Sequence, residues 1–256
     1  MENLLVRFLG WRATILHGDA TVADRWEWVK RHLQTGPVRT LEAGCGTGAM
    51  TLFAARMGNS ALGLSFNERN NQVAEKRAAI LRLSGAQFQT ADLRSLDSLN
   101  LEHEAFDQVL CLETIEHLIE DQKLLTNISS LLKKGGRLLL TTPYKGHFPL
   151  IGEPQDPEYR TTVEDGGHVR FGYTSQEIRK LCENAGLEVV SEELISGYVS
   201  QKLYTLSCKL DAVLPHKLVW LLTLPLRPLR KLDRLLTDLL EYPGLSLAVV
   251  AIKKAA

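Results

Sequence analysis

Three alternating glycines follow a carboxylate in the run Glu42-Ala43-Gly44-Cys45-Gly46-Thr47-Gly48. Residues 38–43 read as an apolar strand leading into it, and residues 49–57 read as a helix leading out. A strand, a glycine turn and a helix N-terminus together make a nucleotide-type cofactor site, because glycine permits the sharp turn and leaves room where a Cβ would stand. Glu42 sets the sign of the ligand, since a carboxylate there repels a pyrophosphate and attracts an ammonium group. A dinucleotide alternative stays open, because Gly44, Gly46 and Ala49 satisfy the loose pattern G-x-G-x-x-A. That fingerprint expects a ribose-holding acid at the end of the second strand, and the strand over residues 60–65 ends in Ser65 instead.

Two histidines have the position for acid–base work. His117 follows the fourth strand, and His168 lies in an irregular segment, residues 144–173, rich in Gly, Pro and His. An unperturbed imidazole titrates near neutrality, so either serves as a general base; substrate binding or loop orientation is the alternative role for both. Tyr144, Phe148, Phe171 and Tyr173 supply an apolar acceptor wall or, equally, the packing of a lid. Glu113, Glu116, His117 and Asp121 are close in sequence. Carboxylates at helix starts suit the helix dipole, so no metal site is expected from them.

These groups must be held by a strand–helix alternation. Helical apolar spacing covers residues 2–9 and 19–34, and strands are expected at 38–43, 60–65, 86–91, 106–112, 137–142, 187–194 and 245–252. Helices are expected at 49–57, 68–83, 120–132 and 174–185, with Gly135-Gly136 and Gly186 as stops. Such alternation predicts an α/β fold with a doubly wound, mostly parallel seven-stranded sheet covered by helices on both faces. Its expected parts are an N-terminal helical cap (1–35), a cofactor-binding core (36–197), a helical insert (198–243) and a last strand (244–256). Pro215, Pro225 and Pro228 predict that the insert is broken into short helices.

The chain of 256 residues, 45% hydrophobic, can bury a full core in one domain. Thirty basic residues balance thirty acidic ones, and no basic stripe marks a nucleic-acid partner. Four cysteines, at positions 45, 111, 182 and 208, form no Cys-x-x-Cys pair and fit a reducing compartment, so a cytoplasmic location is expected. The N-terminus lacks the pattern of a signal peptide, and the apolar stretch 218–226 is too short to span a bilayer.

With these blocks in order, the chain resembles the class I S-adenosylmethionine-dependent methyltransferases over roughly residues 35–195 and the final strand. Residues 41–48 resemble the family's first motif, whose glycines face the methionine part of the cofactor. Asp92 sits where the family places an acid beside the adenine amino group; capping the following turn is its alternative role. Residues 106–117 resemble the fourth-strand motif, and residues 131–140 the turn into strand five. The resemblance thus implies S-adenosylmethionine as cofactor, held by Glu42, Ala43, Gly44, Cys45, Gly46, Gly48, Ser65, Asn70, Asp92, Leu93, Leu112, Glu113 and His117. Glu116-His117 and Gly167-His168-Val169-Arg170-Phe171 are similar to the small-molecule enzymes that modify quinones, sugars and secondary metabolites, ubiquinone-biosynthesis O-methyltransferases among them. Ser65, where an acid usually grips the ribose, resembles the tocopherol-methyltransferase subset.

The implied reaction is methyl transfer to a small-molecule acceptor, most simply an oxygen of an apolar or aromatic metabolite. His117 is the first candidate for the base and His168 the second; acceptor contacts are expected from Trp11, His17, Tyr144, Phe148, His168, Phe171 and Tyr173. Transfer to nitrogen or carbon, a nicotinamide-dependent oxidoreductase and a non-catalytic binding module are the competing readings. The leucines, Trp220 and basic cluster of the insert (Arg227, Arg230, Lys231, Arg234) fit a lid or homodimer face, or a peripheral membrane contact.

Overall fold

The computed structural model describes residues 2–16 and 20–254. Three N-terminal helices, α1 (Glu2–Leu9), α2 (Arg12–Leu16) and α3 (Ala20–His32), precede β1 (Arg39–Ala43), α4 (Ala49–Arg56), β2 (Ser60–Ser65), α5 (Glu68–Leu81) and β3 (Ala86–Thr90). The chain continues through β4 (Phe106–Leu112), α6 (Asp121–Leu131), β5 (Leu132–Pro143), α7 (Ser175–Asn184) and β6 (Leu187–Ile195). The insert then supplies α8 (Tyr198–Asp211), α9 (His216–Thr223), a 3-10 stretch (Leu224–Leu232) and α10 (Asp233–Leu239), before β7 (Ser246–Lys253) closes the sheet.

The strands lie in the order β3-β2-β1-β4-β5-β7-β6, and β7 alone runs antiparallel to its neighbours. The chain winds outward from β1 to β3, then returns to place β4 beside β1. That reversal leaves a crevice beyond the carboxyl ends of β1 and β4, where open α/β sheets take their ligands. Both faces of the sheet are covered, and a strand period of two divides its residues between them. Val109, Cys111, Leu138, Leu140 and Val249 join the cluster under α6 and α7. Leu110, Leu112, Leu139 and Val250 join Trp28, Leu52 and Phe53 on the other side.

Local chemistry sets the helix ends. Asn67 caps α5 by accepting from the amides of Arg69 and Asn70, and Thr174 with Glu177 forms a reciprocal capping box at α7. Two expectations needed correction. The segment 2–34 holds three helices, because Arg12–Leu16 forms a short one of its own. Strand five begins at Leu132, which pairs with Phe106 before a register shift to Gln108 and Arg137; α6 therefore stops at Leu131, and Gly135 turns a bulge rather than ending a helix. Pairing the buried Leu132 into the sheet outweighs another residue of helix.

The prolines do break the insert as expected: Pro215 precedes α9, and Pro225 and Pro228 lie in the 3-10 stretch. Its helices cap one another. Asp233 accepts from the amides of Gly197 and Ser200 at the start of α8 (2.7 and 2.9 Å), and Thr237 accepts from Tyr198 at 2.9 Å. Arg230 pairs with Asp24 of α3, a carboxyl that burial nevertheless holds above its ordinary range. No helix among the described residues is long and apolar enough to cross a membrane.

Candidate active site

The glycine run turns sharply at the end of β1. The amides of Gly44 and Cys45 both donate to the carbonyl of Leu64 (3.0 and 2.8 Å), which ties the turn to β2. Gly44 has φ 87°, and a Cβ there would lie 2.8 Å from Thr114 Cγ2. Above this turn is a cavity of about 430 Å³ lined by Gly44, Gly46, Ser65, Asn70, Asp92, Leu93, Glu113, Thr114 and His117, and walled on its open side by Glu164, Asp165 and Gly166. Other residues expected at the cofactor stand behind this lining. Ala43 and Leu112 are buried in the sheet. Gly48 packs against Phe88 and Ala74. The Cys45 thiol turns toward Asn71 and the Gly46 carbonyl, and burial, with the nearby Glu42 charge, holds it protonated.

Glu42 is almost fully buried. Its Oε2 accepts from the Thr51 amide at 2.7 Å and from the Thr51 hydroxyl, so it satisfies an otherwise orphan donor in the first turn of α4. Burial pushes this carboxyl up to about 7, against the Thr51 bonds and the attraction of Arg25. A folded-state value above the unfolded one means that the native chain holds the proton more tightly. Stability from this group is therefore present in acid and lost as pH rises from about 4.5 to about 7. Glu42→Gln should flatten that part of the stability–pH curve and exceed the native chain at pH 8, by up to about 3 kcal/mol in urea unfolding.

Asp92 reaches the cavity from the end of β3, but Arg94 holds both of its oxygens: Nε lies 2.9 Å from each, and Nη2 2.6 Å from Oδ2. The side-chain bonds from Arg94 keep this carboxyl below the usual range. Arg94 also reaches Glu164 of the covering segment at 3.3 Å. Any ligand group that bonds to Asp92 must therefore compete with Arg94. Arg94→Ala should tighten adenosyl-ligand binding, by up to about fivefold in calorimetry.

The covering segment is zipped to the loop after β4. The Val169 amide donates to the Glu116 carbonyl at 2.9 Å, and Arg170 donates to the carbonyls of Leu118 and Ile119 and pairs with Asp121. This brings the His117 and His168 rings edge to face, with centroids 4.7 Å apart. His117 Nδ1 faces the Gly167 carbonyl at 3.0 Å, so that nitrogen donates, and in the neutral tautomer this selects, the lone pair is on Nε2. His117 lines the 430 Å³ cavity; His168 lines a second one of about 480 Å³, with Ile151, Tyr159, Val163 and Tyr204 of α8. Burial, reinforced by the adjacent His117, holds His168 below its ordinary value, so it is neutral at physiological pH.

Glu116 stands beneath this pair with no solvent exposure. Its Oε2 accepts from Thr142 at 3.2 Å, whereas its Oε1 has no partner and lies 4.0 Å from His117 Nε2. Burial and the neighbouring Glu113 push Glu116 well above the carboxylate range. Ligand atoms of Glu116, His117 and His168 all fall within 4.8 Å of one another, a donor set that could hold a divalent ion. The sequence pattern had grouped Glu116 and His117 with Asp121; the fold commits Asp121 to Arg170 and supplies His168 in its place.

Other expected acceptor contacts lie elsewhere. Trp11 is buried against Phe53 and Trp26, with its indole N–H donating to Ala49 at 2.8 Å. Phe171 is buried and stacked on His147, and Tyr173 is buried with its hydroxyl on Asp121 and Arg170. Phe148 is exposed and meets Tyr242 at 5.2 Å, while Tyr144 is half-buried. His17 lies outside the described residues. Arg25 was not legible as a site residue. It approaches Glu113 at 3.7 Å, its Nε is buried without a partner, and so is Glu113 Oε1. Its one sequence signal is a cation in the middle of α3, between Asp24 and Trp26, away from the basic last turn of Lys30 and Arg31.

A family model described as a methyltransferase domain matches residues 21–192. The chain belongs to the class I S-adenosylmethionine-dependent methyltransferases. S-adenosylmethionine is accordingly the cofactor of this methyltransferase, and the nicotinamide alternative falls. A curated relative, the ubiquinone biosynthesis O-methyltransferase of Azoarcus sp. (strain BH72), is 27% identical over 191 residues, 73% of this chain and 80% of that protein. Among solved structures, an S-adenosylmethionine dependent methyltransferase from Mesorhizobium loti superposes with a TM-score of 0.61 at 20% identity, over 93% of this chain and 99% of that one. The [4+2]-cyclase SpnF superposes at 0.63, also with 20% identity, over 91% and 81%. At such identities the superpositions speak for the fold alone.

Proposed function

We propose that this methyltransferase methylates an oxygen of an apolar or aromatic small molecule that enters through the 480 Å³ cavity. The carrying observation is the contact of His117 and His168 where the two cavities approach each other. The Azoarcus relative, named for O-methylation in ubiquinone biosynthesis, supports a phenolic acceptor. S-adenosylmethionine supplies a methyl group on a sulfonium sulfur. A cationic donor of this kind would leave the protein no new anion to stabilise, so its residues serve to align the reactants and keep water out. His117 Nε2 accepts the acceptor's hydroxyl proton while the Gly167 carbonyl fixes the ring.

The residues fit the amino-acid tail of the cofactor. Arg25 offers an unpaired N–H for a carboxylate, and Glu113 and the remaining oxygen of Glu42 offer acceptors for an ammonium group. Pairing Glu42 with that cation lowers a carboxyl that burial holds at about 7, so cofactor binding near neutral pH should release a proton. Calorimetry in buffers of different ionisation enthalpy reads this directly; buffer-independent heats would remove Glu42 from the ammonium contact.

A metal-assisted version is favoured by the orphan Glu116 Oε1 beside two imidazoles. In it, Glu116, His117 and His168 would hold a divalent ion, which would supply Lewis-acid chemistry that eases loss of the acceptor's hydroxyl proton. An acceptor screen by mass spectrometry, seeking a gain of one methyl, tests the reaction. Repeating it after chelation, with Mn²⁺ or Zn²⁺ added back, separates the versions: loss and recovery favours the ion, and insensitivity leaves His117 as the base.

A further inference from the structure

The insert carries an apolar surface that the fold does not bury. Among the described residues, ten of the large hydrophobic side chains that stand exposed fall between Tyr198 and Pro243. Helix α9 is inverted relative to an ordinary surface helix: Val219 and Thr223 face inward, while Leu218, Leu221 and Leu222 stand outward, 41%, 58% and 50% exposed. Farther on, Leu226 and Leu236 pack against Val199 and Leu203, whereas Leu229, Leu232, Leu235 and Leu239 are exposed.

Charge points to the covering partner. Residues 198–243 hold seven Lys and Arg against four Asp and Glu, in a chain that is neutral as a whole. Asp233 is committed to capping α8, Arg230 to Asp24 and Arg234 to Asp238, while Lys217 and Lys231 stand exposed among the outward leucines. The core of a protein–protein interface is depleted in lysine, whereas an anionic bilayer surface accepts leucines and cations side by side. The surface also adjoins the acceptor side of the site, because Tyr204 of α8 lines the cavity that holds His168, and Tyr242 packs on Phe148 and Tyr198.

We infer that the outward leucine face of residues 198–243 docks on an anionic lipid bilayer, setting the acceptor cavity beside the source of an apolar substrate. The delivery role rests on the apolar-acceptor reading above; the docking does not. The test is co-sedimentation of the intact chain with phosphatidylcholine vesicles containing or lacking phosphatidylglycerol. Binding should require phosphatidylglycerol and weaken with salt. The double variant Leu221→Asp/Leu235→Asp should bind at least about tenfold more weakly, and Lys231→Ala about fivefold. Both variants should keep native affinity for S-adenosylmethionine and native turnover of a water-soluble phenol. Absence of native binding to anionic vesicles, or variants that bind as well as the native chain, overturns the inference. So does light scattering that shows a dimer dissociated by the leucine variants with no vesicle binding. Vesicle binding without methyl transfer to any hydroxyl acceptor would sink the functional reading and leave the docking surface standing.

Discussion

His117→Ala should lower kcat for a hydroxyl acceptor by about 100-fold or more, the ordinary worth of a positioned general base. The ring is held at Nδ1 by the Gly167 carbonyl, so Nε2 has one orientation, and in the neutral ring it is the nitrogen that accepts a proton. The loss should shrink as the acceptor becomes more acidic, because a phenol already ionised in solution has no proton to surrender. A series of phenols of falling pKa reads this as a rising mutant-to-native ratio. A uniform loss across the series would instead assign His117 to positioning. Glu116→Gln supplies the complement: it keeps the shape of the buried side chain and its bond to Thr142, so a base mechanism should survive it largely intact. An ion held by Glu116 should not.

Gly44→Ala should cost both stability and cofactor. The new Cβ meets Thr114, whose hydroxyl is already bonded to the Leu112 carbonyl at 3.1 Å, and the backbone there has φ 87°. Overpacking costs about 1–3 kcal/mol and the left-handed conformation about 1–2 kcal/mol. The expected result is an unfolding midpoint lower by roughly 5–10 °C and an affinity for S-adenosylmethionine weaker by about 30-fold or more. Gly46 gives the contrast. It also has positive φ and lines the cavity, yet a Cβ there meets no protein atom within 4 Å. Gly46→Ala carries the left-handed cost but no overpacking, and should therefore weaken the cofactor with a smaller change in midpoint. Equal losses of stability in the two variants would contradict this division.

The contrast between these glycines shows where reading the chain stops. Residues 41–48 announce a turn that binds something, because alternating glycines between a strand and a helix have few other uses. They do not say that Gly44 is required by a threonine seventy residues on, or that Gly48 makes room for Phe88. Asp92 was legible as an acid at a strand end, but its engagement by Arg94 was not, since that depends on how the loop after β3 folds back. The aromatic residues of the irregular segment were legible as apolar. Only the fold shows that Phe171 and Tyr173 lie in the core while Phe148 stands outside.

The sequence by itself determined the alternation of strands and helices, the glycine cradle, the acidic strand ends and the breaks in the insert. Each of these follows from local chemistry: side-chain period, backbone freedom and the missing amide of proline. Tertiary structure alone decided that Glu116, His117 and His168 meet, because 50 residues of chain separate the two histidines and the bonds from Val169 and Arg170 close that loop. It also decided that Glu42 is buried on Thr51 and that the leucines of α9 face outward. Burial is a property of what lies opposite a side chain, and that partner is chosen by the whole fold.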